Sequence, residues 1–69
     1  MMEDIPVIGR DVVVYSRYLF AIPVRGRIIG ISALDGAYQV NFYGNNPGGK
    51  NVTKYNGKYF FPKQCKICD

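Results

Sequence analysis

The chain contains no histidine, only two cysteines and only five acidic residues among its 69. Without histidine, proton transfer near neutral pH would fall to Asp, Glu, Lys, Cys or Tyr, and no carboxylates cluster in the sequence. A catalytic role is therefore not expected. The cysteines form a single C-x-x-C, Cys65 and Cys68, which is half of a tetrahedral zinc site. One chain cannot complete that site with the usual soft ligands, although two chains meeting could. In a strand, residues three apart face opposite sides, which opposes chelation. The βαβ context of a thioredoxin-like redox pair is missing as well. The sequence thus predicts no metal and no cofactor, with Cys65 in the core and Cys68 at the surface.

Long apolar runs are also lacking, and nothing approaches the roughly 18 residues of a membrane span. The N-terminal "MMEDIPVIGR" is acidic and has no positive region ahead of an apolar stretch, so it does not read as a secretory signal. A cytoplasmic location and no membrane partner are expected. Acid is absent throughout residues 36–68, where Lys50, Lys54, Lys58, Lys63 and Lys66 accumulate. Net charge is +4 and the pI is 9.3. Such a balance suits nucleic acid or an acidic protein surface, and it equally suits a soluble, mildly basic surface.

Hydrophobic residues make up 48% of the chain, enough for a globular domain. At this length only about 60% of the unfolded surface is buried, and net stability is about 3–5 kcal/mol. No segment has a 3.6-residue apolar period. Short β-rich runs separated by turn residues predict an all-β domain over residues 9–69, preceded by an N-terminal extension, 1–8.

The first strand is expected over 11–17, with Val12 and Val14 on one face and Val13 and Tyr15 on the other. "YLFAIP", 18–23, is apolar but ends at proline. It reads as a structured loop whose aromatics lie partly over the core. The second strand, 24–33, mixes β-branched residues with Gly26 and Gly30, which permit a sharp bend, and with Arg25 and Arg27, which share an outward face. Asp35-Gly36 predicts a tight hairpin. The third strand, "AYQVNFYG", turns Tyr38, Val40 and Phe42 inward. A Leu34–Ala37 closure sets Ile31 beside Val40 and Ile29 beside Phe42. A bulge near Gly30 would instead bring Ile28 and Ile31 inside. "GNNPGGK", 44–50, is a turn-rich loop without the strand–loop–helix context of a phosphate-binding loop. "NVTKYNGKYFF" reads as a second hairpin tipped by Asn56-Gly57, "PKQ" as one 3₁₀ turn, and "CKI" as a short closing strand. The expected core is Val12, Val14, Val24, Ile31, Tyr38, Val40, Phe42, Phe61, Cys65 and Ile67.

These strands describe a small five-stranded closed barrel with a 3₁₀ turn before the last strand. The order of "RGRIIGI" (with Gly26, Ile28 and Ile31 as G-x-I-x-x-I), "YQVNFYG" and "YFFP" resembles the SH3-like small barrels of the Tudor and KOW type over residues 9–68. KOW-type barrels bind RNA and ribosomal or transcription complexes, and Tudor-like barrels hold methylated side chains in aromatic cages. The resemblance therefore implies a non-enzymatic binding module.

Ten aromatics exceed what one small core needs, and several lie beside cations. Bases stack on aromatic faces and cations contact phosphates. The candidate nucleic-acid surface is Arg17, Arg25, Arg27, Tyr43, Lys54 and Lys58. The alternative is a protein-interaction module, or a small regulator or inhibitor of a larger enzyme, a role many short phage-encoded proteins take. Its candidate cage or partner-binding residues are Tyr15, Tyr18, Phe20, Tyr43 and Tyr59, with the 18–22 loop setting specificity. A third alternative is an oligomer associating through "YLFAIP".

Overall fold

The computed structural model describes residues 7–46 and 50–68. Of the expected N-terminal extension, residues 1–6 lie outside the described residues, as do 47–49 of the turn-rich loop. Five strands form one antiparallel sheet: β1 (Asp11–Val14), β2 (Val24–Ile31), β3 (Tyr38–Phe42), β4 (Lys58–Phe60) and β5 (Cys65–Ile67). Two 3₁₀ segments interrupt them, Lys50–Tyr55 and Pro62–Gln64, and the second stands just before the last strand as predicted.

The sheet order is β4-β3-β2-β1-β5. No ladder among the described residues joins β4 to β5, so the pairing gives an open sheet rather than the closed barrel expected. Its inner face carries Val12, Val14, Val24, Ile28, Val40, Phe42 and Phe60, all buried. Phe20 from the 15–23 loop and Val52 from the first 3₁₀ segment cover that face and complete the core. Phe20 is only 7% exposed, and its ring meets Phe42 at 5.3 Å and Tyr55 at 5.2 Å, both edge-on. Edge-on pairs at this spacing add about 0.5–1.5 kcal/mol each beyond area burial. The Phe20 N–H donates to the Ser16 carbonyl at 2.8 Å, and this turn carries the ring over the sheet.

The β2–β3 register differs from expectation. Gly26 pairs with Phe42, Ile28 with Val40 and Ile31 with Tyr38, with a bulge between Ile28 and Gly30. The bulge is where the sequence allowed one, but only Ile28 gains burial from it, at 0% exposed against 45% for Ile31. The cause is the length of β1. It begins at Asp11, opposite Arg27, so the far end of β2 has β3 on one side and no strand on the other among the described residues. Gly26 is required by close approach, since a Cβ there would stand 2.5 Å from the Asn41 carbonyl oxygen. The hairpin closes two residues wider than Leu34–Ala37, at Ser32–Ala37. Ser32 N–H donates to the Ala37 carbonyl at 2.8 Å, and Gly36 takes a φ of +74°. Asp35 accepts the Ala37 N–H, and this bond with a second from Ser32 holds its carboxyl below the ordinary value.

The second expected hairpin is also corrected. Residues before Asn56-Gly57 form a 3₁₀ segment, so the turn joins that segment to β4 instead of joining two strands. Val52 enters the core from it. The register of β4 then follows from the Gly57 N–H, which donates to the Val40 carbonyl at 2.9 Å, and Phe60 falls opposite Tyr38. Phe60 is therefore the buried phenylalanine, and Phe61, expected in the core, is 50% exposed. Cys65 and Ile67 do share the inner face, opposite Val14 and Val12.

Candidate nucleic-acid interface

Residues directly opposite each other in a sheet point to the same side. On the outer face this rule builds a row from Lys66 on β5 through Val13 on β1 to Arg25 on β2. A second row runs from Asp11 through Arg27 to Asn41. Tyr43, just beyond β3, donates its backbone N–H to the Arg25 carbonyl and so extends the first row. Gln39 and Tyr59 form a further row toward the β4 edge. Arg25, Arg27, Lys66 and Tyr59 are exposed.

Three of these groups form a cluster. The Tyr43 hydroxyl donates to Asp11 Oδ1, the Arg25 guanidinium lies 3.8 Å from Asp11 Oδ2, and its carbon stands 5.9 Å from the Tyr43 ring centre. The backbone beneath is pinned by Asn46, which is buried although polar. Its Oδ1 accepts the Arg25 N–H at 2.7 Å, and its Nδ2 donates to the Arg25 carbonyl at 2.8 Å and the Tyr43 carbonyl at 2.7 Å. One side chain thus finishes the β2–β3 ladder where β3 ends. Asn56 acts alike, its Oδ1 accepting the Phe42 N–H at 2.6 Å.

The six candidate nucleic-acid residues are divided between two sides. Arg25, Arg27 and Tyr43 come together on the outer face. Lys58 pairs with Val40 and lies exposed at the β4 edge. Arg17 and Lys54 border grooves on the covered side of the sheet. Lys66, Asp11 and Asn46 belong to the outer-face assembly and were not singled out in sequence. The acid-free lysine run of residues 36–68 and the alternation of "CKI" were the signals for Lys66.

The five candidate cage aromatics do not converge. Phe20 is in the core, Tyr43 and Tyr59 are on the outer face, and Tyr18 is 98% exposed. Tyr15 borders a groove of about 200 Å³ with Arg17 and Pro23. A second groove of about 220 Å³ lies between Leu19 and Ile22 on one side and Val52, Lys54 and Tyr55 on the other. Lys54 Nζ stands 5.4 Å from the Tyr55 ring centre.

Neither cysteine is in a disulfide, and burial pushes the Cys65 thiol up to about 11. Among the described residues no three of His, Cys, Asp and Glu gather into a metal-sized group. No helix among them is long and apolar enough to cross a membrane. Compared with known families, curated proteins and solved structures, the chain matches none of them, so its fold and surfaces must speak for its role.

Proposed function

We propose that the protein is a small, non-catalytic, cytoplasmic binding module of the SH3-like type that contacts nucleic acid through the open face of its sheet. The observation that carries this reading is the convergence of Arg25, Arg27 and Lys66 with Tyr43 and Tyr59 on one face. Asp11 is the sole described acid there, and it is already held by Tyr43 and Arg25. The other described carboxylate, Asp35, is in the β2–β3 hairpin, so the described residues pair no two carboxylates.

A sheet face offers no projecting helix or ribbon to enter a duplex groove. It does offer a surface along which a single strand can lie, with phosphates over the cations and a base against an exposed tyrosine. Stacking of this kind is worth about 1–3 kcal/mol per base. Single-stranded RNA or DNA is therefore the favoured ligand.

The test is a set of fluorescence-anisotropy titrations with single- and double-stranded RNA and DNA at several salt concentrations. Three phosphate contacts give a log–log slope of roughly −2 for a single strand. Binding no tighter than about 10⁻⁴ M, the weak end of ordinary non-specific association, removes this reading.

A further inference from the structure

We propose that the two grooves beside residues 18–22 form one docking surface for an acidic segment of a partner protein that inserts two apolar side chains. The grooves share Phe20 and Ala21 as their common wall. At about 220 and 200 Å³, each falls below the roughly 300–1,000 Å³ of small-molecule and cofactor pockets. Each is sized for a single side chain. Leu19 and Ile22 stand at the first groove as large apolar groups left exposed, and Tyr15 does so at the second. Apolar groups exposed together in this way mark a surface that associates.

Charge selects the occupant. Each groove has a cation at its border, Lys54 at one and Arg17 at the other, and no carboxylate lines either among the described residues. The Lys54 ammonium already faces the Tyr55 ring. A methylated lysine entering there would meet a like charge where it needs a free aromatic face. A carboxylate would meet a favourable one. A second copy is disfavoured for the same reason, because a two-fold contact sets the same cation-bordered patch against itself. The surface is independent of the proposed nucleic-acid face. Phe20 covers the inner side of the sheet, while Arg25 and Arg27 point from the outer side.

The probe is a short fluorescein-labelled peptide of glutamate and leucine. Its companions of equal length replace leucine by serine, or glutamate by lysine. The glutamate–leucine peptide is expected to bind, the serine form about tenfold more weakly, and the lysine form not measurably. Amide chemical shifts should move at Leu19, Ala21, Ile22 and Val52. Ile22→Ser and Lys54→Glu should each weaken binding about fivefold or more. A joint Arg25→Glu and Arg27→Glu change should leave it within about twofold at physiological salt. Should Ile22→Ser fail to fold, Lys54→Glu and the wild-type shift map still decide. Equal affinity for the leucine and serine peptides overturns the proposal, as do shifts confined to Arg25, Arg27 and Lys66. Shifts at the groove amides that grow with protein concentration, without peptide, assign the surface to a second copy and overturn it too.

Discussion

The Tyr43 hydroxyl donates a hydrogen bond to the Asp11 carboxylate, reaching from the end of β3 over β2 to the start of β1. Arg25 stands between them on the intervening strand, 3.8 Å from the same carboxylate. The chain's own anion therefore sits where a ligand phosphate would compete for the guanidinium.

Asp11→Asn keeps an acceptor for Tyr43 but removes the charge. Under the proposed function it should tighten single-strand binding and steepen the salt slope by up to about 0.7, one further phosphate contact. Stability should fall by only about 0.5–1.5 kcal/mol, since the ion pair is exposed and the hydrogen bond is retained in weaker form. Anisotropy and urea unfolding measure the two effects. Weaker binding in this variant would mean that Asp11 orients Arg25 instead of masking it.

Phe20→Ala and Phe42→Ala should each cost about 3–5 kcal/mol, close to the whole stability of so small a domain. Both rings are buried and meet at 5.3 Å. Phe61→Ala should cost about 1 kcal/mol or less, because half of that side chain is already in water. Thermal melts followed by circular dichroism separate the two classes. A Phe20→Ala protein melting within a few degrees of wild type contradicts the place of the 15–23 loop over the core.

What the sequence made legible was local alternation. Val12 and Val14, Val40 and Phe42, and Cys65 and Ile67 were placed correctly because each lies in a run whose period of two survives into the sheet. The errors lie where one residue of offset inverts a face. Phe60 and Phe61 exchanged roles because residues before Asn56-Gly57 coil into a 3₁₀ segment, which no alternation rule anticipates. Ile31 failed for a different reason. Its burial depends on a neighbour strand, and β1 is too short to supply it. In the candidate site, the same-face placement of Arg25 and Arg27 was legible from their spacing. The Asp11–Tyr43 bond was not, because it joins residues 32 positions apart through a sheet order that no local pattern fixes.

Asn46 illustrates polar structure hidden inside a turn-rich stretch. Asn46→Ala removes the partner of the Arg25 N–H and of the Tyr43 carbonyl, while the Arg25 carbonyl keeps the Tyr43 N–H, and an unsatisfied buried group costs about 1–3 kcal/mol. The expected outcome is a drop in stability of that order, with faster amide exchange at Arg25. Unchanged exchange at Arg25 would show that water replaces the side chain.

Burial holds the Cys65 thiol protonated up to about pH 11, against 9.0 for an unperturbed thiol. The folded protein therefore retains a proton that the unfolded chain releases between these values. The stability supplied by Cys65 is complete below pH 9 and is lost as pH rises toward 11. Comparing wild type with Cys65→Ala across this window isolates the effect from lysine and tyrosine titration. Alkylation by iodoacetamide near neutral pH should accordingly be slow at Cys65, and EDTA should leave the melting curve unchanged.

Arg25 and Arg27 share a face but not a setting. Arg25 is paired with Asp11 and lies against Tyr43, whereas Arg27 has no ion-pair partner among the described residues. An already neutralised cation releases less counterion when a phosphate arrives. Arg27→Ala should therefore flatten the single-strand salt slope by about 0.7, and Arg25→Ala by clearly less. The double variant should flatten it by no more than about 1.4, the limit set by two contacts. In an Asp11→Asn background the Arg25→Ala effect should rise to match that of Arg27→Ala, because the competing anion is gone. Both side chains point to water, so melting temperatures should stay near wild type and affinity changes can be read without a folding correction. Equal slopes for the two single variants in both backgrounds would mean that Asp11 does not compete with the ligand, and that the two arginines act only through their summed charge.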